Sequence, residues 1–395
     1  MNIDTTHASP PLVSRWWILF LVHMSMLVYA LNLQMIPPLL PTLITKLGLT
    51  HTQAGTLMAL FTLPGIFLAI PGGRVSDTIG PRGVALWSLA LLGTGALLMF
   101  PLHPAFLLTG RLCSGVGGAV IVVVAPQIIA RTFYGRELGF AMGIYNTAVP
   151  LGTMTAFNLL GFFAGRLGIP VVFMATASFS FVVLAAFYLT YADTEPEHAR
   201  TAVEEKFSFK GLGKGIWVVS LVWVLFNISI LAYFTYSIDY FTGEGMSGAT
   251  ARFLGSLPML LSVFFTPLAG FAMQRFGLRK SLITVGCAIS SAAILFILIS
   301  KPAMILPLSV ILGAGISMVP PAVFTIAGEI VPHSRVGTGY GLVTSIFNLG
   351  VFFGIPMIGH MRDITASYSI SFLFMSVIML SGGVMAMVFT KMLSK

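Results

Sequence analysis

Charge is what this sequence most lacks. Only 8% of its 395 residues are Asp, Glu, Lys or Arg, against 57% apolar, where a soluble domain carries about a quarter charged residues. That balance excludes a soluble fold, because no core of this size could hide so much apolar surface from water. Acids are the scarcer sign, 12 against 21 bases. None falls near the middle of an apolar run: Asp239 and Glu329 lie towards the ends of theirs. Cysteine is nearly absent. Cys113 and Cys287 sit in apolar segments of opposite halves, which excludes a disulfide framework and a zinc site. No nucleotide loop, metal cluster, nucleophile constellation or soluble output domain is present, so neither an enzyme, nor a bound cofactor, nor a membrane sensor is expected.

What is abundant is long apolar runs. Crossing a bilayer takes about 20 predominantly apolar residues per helix. Runs broken by Gly, Pro or charge place helices near 16–40, 52–72, 84–100, 105–132, 139–165 and 169–191, then near 216–241, 249–272, 281–300, 303–330, 337–360 and 368–390. The expected fold is an all-α integral membrane protein of twelve transmembrane helices. Residues 1–191 form one six-helix bundle, 192–215 a charged linker and 216–395 a second bundle. The polar start through Ser14 leads into an apolar stretch with no cleavage signal, which reads as a retained first helix.

The formal charge of +9 would suggest nucleic acid in a soluble protein. Here most of the bases, among them Arg15, Arg74, Arg82, Arg131, Arg275, Arg279 and Lys391, fall on the side of the even-numbered connections. By the positive-inside rule that side is the cytoplasm, with both termini there, and the bases need no nucleic-acid partner.

The halves repeat each other. Gly115 and Gly117 recur as Gly313 and Gly315, and Gly139, Gly143 and Gly152 recur as Gly337, Gly341 and Gly350, every pair 198 positions apart. Gly73 and Gly80 recur as Gly270 and Gly277 at a separation of 197. A near-constant offset across three helix pairs indicates duplication.

Two motifs sit on this frame. The run Gly73-Arg74-Val75-Ser76-Asp77-Thr78-Ile79-Gly80-Pro81-Arg82 resembles the signature loop between helices two and three of the major facilitator superfamily, with Thr78 and Pro81 in place of two usual bases. Its second copy keeps Gly270, Arg275, Gly277, Arg279 and Lys280 but has Gln274 for the acid. Arg111-Leu112-Cys113-Ser114-Gly115-Val116-Gly117-Gly118-Ala119 matches the superfamily's helix-four motif completely. The resemblance spans the chain. It implies a secondary transporter whose halves rock about a midplane site, without cofactor, embedded as a monomer in the lipid bilayer with a small-molecule solute and protons as partners.

The resemblance also distributes roles. Asp77, with Gly73, Gly80, Arg82 and Arg275 around the two loops, is implied as a gate, its carboxylate meeting the helix-eleven N-terminus. Arg111, costly in a membrane unless it faces a cavity or a partner, is expected to point inward, to bind an anion, respond to protons or hold helices through their carbonyls. Asn32, Gln34, Asn146, Asn227, Tyr233 and Asn348 are the candidate substrate contacts, each also able to serve as an interhelical hydrogen bond. His23 is a titratable group in helix one with a structural alternative. Helix five lacks the antiporter signature, having Val149-Pro150 and a lone Gly152, and resembles small-anion uptake porters of the cyanate and nitrate type. Uptake of a small anion with protons across the cytoplasmic membrane is therefore the expected function. Proton-coupled efflux of drugs or metabolites is the alternative, for which aromatic and Met side chains would supply an adaptable lining.

Overall fold

The computed structural model describes residues 14–133, 138–191, 213–331 and 336–388. Side chains at 70, 72–74, 77–79, 138–140, 274 and 336–338 lie outside that description. Among the described residues twelve helices are long and apolar enough to span a bilayer. They are α1 (Arg15–Leu47), α2 (His51–Ala69), α3 (Pro81–Leu98), α4 (Pro104–Thr132), α5 (Ala141–Leu167) and α6 (Ile169–Thr190), then α7 (Gly215–Gly243), α8 (Gly248–Met273), α9 (Arg279–Ile299), α10 (Pro302–Ile330), α11 (Gly339–Thr365) and α12 (Tyr368–Val388). The expected multi-pass all-helical membrane fold is therefore observed. Most of the 192–215 linker lies outside the described residues.

Local chemistry sets the helix ends. The first span runs seven residues past its expected end. Pro37 and Pro38 cannot donate to the helical ladder, and the chain passes them through a 3₁₀ turn, Pro37–Leu39, then resumes as helix until Gly48, left-handed at φ 63°. A capping box opens α2: Gln53 N donates to Thr50 Oγ1 over 3.1 Å, and Thr50 N donates to Gln53 Oε1 over 3.0 Å. The same helix continues past its apolar span to Ile79 and turns directly into α3 at Gly80, whose φ of 88° suits glycine. By contrast α10 is helical from Ile305 to Ile330 straight through Pro320 and Pro321.

The spans alternate in direction. We call the end that holds Arg15, the α2–α3 turn and Val388 the near end, and the end that holds Gly48, Thr242 and Ala366 the far end.

The duplication is visible in packing. A Cβ on Gly115 of α4 would lie 2.5 Å from the Phe61 carbonyl of α2, and one on Gly313 of α10 would lie 3.0 Å from the Pro258 carbonyl of α8. Gly117 faces Leu91 and Ser88 of α3, and Gly315 faces Ser290 and Gly286 of α9. Equivalent glycines thus let equivalent helices touch backbone to backbone, the packing available where lipid offers no hydrophobic drive. Each half is a tightly knit block.

Candidate functional site

Between the blocks, midway along the helices, lies a cavity bounded by Tyr29, Phe61, Thr62, Gly65, Gly118, Thr344, Phe347 and Asn348. Four helices supply it, α1, α2 and α4 from one half and α11 from the other. Its described lining carries hydroxyls, one amide and aromatic rings, and no formal charge. It is narrow, about 70 Å³. Thr62 and Thr344 donate to carbonyls of their own helices, Ala59 and Tyr340. Asn348 reaches across to α2, where its Nδ2 would stand 2.5 Å from a Cβ placed on Gly65. Glycine at 65 is what lets that amide sit between the halves.

Arg111 stands behind this cavity and not in it. It is wholly buried. Its Nε donates to the Leu57 carbonyl over 2.7 Å, Nη1 to the Asn32 carbonyl over 2.5 Å and Nη2 to the Met58 carbonyl over 3.2 Å. The guanidinium also lies 4.8 Å from the ring centre of Phe61, whose other surroundings include the cavity. An arginine in an apolar half thus finds partners in main-chain oxygens of α1 and α2, close to the break in α2 at Phe61–Thr62. Of the roles open to Arg111 in the sequence, this geometry is that of helix-holding.

The other candidate residues divide. Asn348 lines the cavity. Asn32 is fully buried, donating to the Val28 carbonyl over 3.0 Å and accepting from Ser114 Oγ over 3.2 Å, so it braces α1 against α4. Asn227 donates to Trp223 and Asn146, which is exposed, to Met142, each within its own helix. Tyr233 packs among Phe234 and Phe372, inside the second half. Gln34 is fully buried, and neither of its side-chain polar atoms has a partner among the described residues. His23 bonds through Nδ1 to the Ile144 carbonyl over 3.1 Å and ties α1 to α5.

At the near end, Gly73 lies within the helix that runs to Ile79, and the Asp77 carboxylate lies outside the described side chains. Gly80 makes the turn. Arg82 donates to the Tyr188 carbonyl over 2.7 Å, placing a cation at the C-terminal end of α6, where the helix dipole favours it. Arg275 is exposed and lies over the ring of Phe276. Arg279, 197 positions after Arg82, pairs with Glu329.

The far end holds a polar seam that the sequence analysis did not find. Asp363, two residues from the end of α11, sits on the N-terminus of α2. Its Oδ1 accepts from His51 N and its Oδ2 from Thr52 N, each over 2.8 Å, and Oδ2 also accepts from Thr52 Oγ1 over 2.6 Å. The His51 ring bridges two acids, with Nδ1 2.8 Å from Asp363 Oδ1 and Nε2 3.2 Å from Asp239 Oδ2 of α7. Tyr368 of α12 donates to that same Asp239 oxygen. Deeper, the Tyr236 hydroxyl of α7 lies 3.1 Å from both the His51 and the Ile355 carbonyls. It enters a slot between Gly55 of α2 and Gly359 of α11, where a Cβ on either glycine would overlap it. Beside the seam, Asn158 Nδ2 of α5 donates to Ser256 Oγ of α8 over 2.9 Å, from a π-helical turn, Ala156–Leu160. Arg252 of α8 lies against Gly161 of α5. Outside the seam is an open vestibule of about 620 Å³, bounded by His51, Asp239, Glu244, Arg362 and Tyr368.

Comparison with known proteins agrees with this architecture. The family model described as Major Facilitator Superfamily matches residues 22–250 and 239–393. The lysosomal dipeptide transporter MFSD1 of Danio rerio is 24% identical over 340 residues, 78% of this chain and 72% of that protein. The class G tetracycline resistance protein of Vibrio anguillarum is 27% identical over 347 residues, 82% of this chain and 85% of that protein. A bacterial homologue of the human lysosomal transporter Spinster, solved in an inward-facing and occupied conformation, has the same fold, with a TM-score of 0.78 at 17% identity over 98% of each chain. These likenesses support the broad family and not the cyanate and nitrate porters that helix five suggested.

Proposed function

Because this chain belongs to the major facilitator superfamily, and is therefore a multi-pass membrane transporter and not an enzyme, we propose that it carries a small solute of balanced or zero net charge by alternating access. The observation that carries this reading is the uncharged cavity between the halves, with Asn348 as its cross-half amide and Arg111 committed to carbonyls behind it. An anionic solute would need a cation to meet it. The arginine that made anion uptake attractive has each of its three nitrogens bonded to a main-chain carbonyl. A dipeptide, the solute named for the MFSD1 relatives, has no net charge, and its peptide amide suits amide and hydroxyl partners.

In this reading the far seam is a closed gate, and the solute leaves the cavity towards the near end, which the distribution of bases marks as the cytoplasmic side of a cell membrane. Reversal would bring Asp77 to the N-terminus of α11 at the near end as Asp363 leaves the N-terminus of α2 at the far end. The two helices would thus carry one acid-to-dipole latch at each end. Import driven by protons is the direction we assign.

The aromatic lining of Tyr29, Phe61 and Phe347 favours a second reading, export of hydrophobic compounds, the class to which the tetracycline resistance relatives point. Flux into proteoliposomes separates them. Accumulation of dipeptides under an inward proton gradient supports import, and transport of inorganic or organic anions alone would overturn the charge argument. Resistance of a drug-sensitised strain on expression, with no dipeptide flux, would establish export instead.

A further inference from the structure

We propose that His51 is a proton-binding site of the far gate, and that its imidazolium, filled from the far-side vestibule, holds the two halves together at that end. The inference rests on the alternating-access reading above and adds the ligand that works this gate.

The geometry of the ring carries it. Nδ1 and Nε2 both face carboxylate oxygens, at 2.8 and 3.2 Å. A neutral imidazole has one N–H and one lone pair, so it can satisfy only one of these acids and must turn its lone pair towards the other. The imidazolium donates to both. The ring comes from α2 and both acids from the other half, so the proton is held across the interface that must part. It strengthens a contact found in one state only, and a ligand shifts a two-state equilibrium only through such a difference.

The surrounding groups fit this assignment. Asp363 of α11 and Asp239 of α7 face the ring nitrogens, and the Tyr368 ring of α12 stands edge-on to the imidazole; Tyr236 of α7 meets the His51 carbonyl, and Arg362, Tyr240 and Glu244 complete the vestibule lining. Among the lining residues α1 adds no charge. Arg362 is turned over the Tyr368 ring, 5.0 Å from its centre, while Asp363 spends its remaining capacity on Thr52. Three acids then stand beside one permanent cation, and the proton on His51 supplies a second. His51 and both acids are partly exposed, at 14 to 20%, so the proton exchanges with the vestibule while the seam is shut. Acid on the far side therefore favours the far-closed state. As pH rises through the imidazole's titration, the proton leaves, one carboxylate faces a lone pair, and the far gate opens.

Pulsed electron spin resonance on the full chain tests this without knowing the solute. Spin labels on the exposed far-end sites Lys46 and Lys301, in a background with Cys113 and Cys287 replaced, report the far gate. Labels on Leu189 and Leu278 report the near end. Between about pH 8 and about pH 5, the interval in which imidazole titrates, the far-end distance should shorten in the wild type. His51→Gln should abolish that shift. Asp239→Asn, which removes one of the two demands for an N–H donor, should move its midpoint to lower pH, and it serves where His51→Gln does not fold. A far-end distance independent of pH, or a shift that survives His51→Gln at an unchanged midpoint, would overturn the proposal. Failure of alternating access itself looks different: the far end responds to pH while the near-end distance stays fixed.

Discussion

Gly359→Ala tests the far seam with a single methyl group. An alanine Cβ at 359 would lie 2.7 Å from the carbonyl carbon of His51 and would overlap the Tyr236 hydroxyl, where ordinary van der Waals contact begins at 3.4 Å. Tyr236 is fully buried, and the hydroxyl ends a rigid ring that cannot swing aside. The seam must therefore part by about 0.7 Å or more, and overpacking of this kind costs roughly 1–3 kcal/mol. Alanine's better helix propensity acts in both states and cancels. The penalty falls only on the far-closed state, so at about 1.36 kcal/mol per tenfold the equilibrium should move roughly 5- to 150-fold towards far-open. Distance distributions from the far-end label pair measure that shift, and solute flux should fall with it. Gly382→Ala is the control, since its Cβ would meet Leu225 at an ordinary 3.4 Å within one half. A Gly359→Ala protein with wild-type far-end distances and flux would refute the idea that this seam is the gate.

Three further substitutions probe the remaining parts. Arg111→Lys keeps the charge but reaches at most some of the three carbonyls, and each buried group left unpaired costs about 1–3 kcal/mol. We predict a lower melting temperature with solute affinity retained; lost affinity at unchanged stability would make Arg111 a solute ligand. Asn348→Ala should weaken solute binding at least several-fold while leaving stability nearly intact, and unaltered binding in a ligand-stabilisation assay would remove Asn348 from the site. For Asp77→Asn the expected outcome is slower transport with affinity preserved in the near-open state, and unchanged flux would show that the near latch is dispensable.

Most of the fold was legible because its signals are additive. Apolar runs of twenty residues and a repeat of glycines at nearly constant spacing report bilayer thickness and backbone contact, and both survive without knowledge of tertiary structure. Arg111 illustrates the limit. Burial of the residue followed from the energetics of an arginine in lipid, but its partners are main-chain carbonyls of two other helices, which no residue type announces. The same holds for Asn32 and Tyr233, whose polar groups are buried within one half.

The far seam was hidden for a different reason. His51, Asp239 and Asp363 lie on three separate helices, far apart in sequence, so no local pattern links them. A partial signal existed. Acids are few, Asp363 ends α11, and Thr50-His51-Thr52-Gln53 has the form of a capping box. The resemblance sets Asp77, at the end of α2, against the N-terminus of α11, so an acid expected at one end of that helix pair invited a search for its counterpart at the other.

The glycine contacts inside each half have a mechanical consequence. Blocks in which main chains touch main chains deform little, so displacement imposed at one end is transmitted and not absorbed. Helices of 29 residues such as α4 and α7 extend about 40 Å at ~1.5 Å per residue. Two such blocks pivoting near their middle behave as a pair of levers. A displacement of the size that Gly359→Ala imposes at the far end should reappear, with reversed sign and similar size, as approach of the near-end helices about 40 Å away, where it can be read without touching the seam.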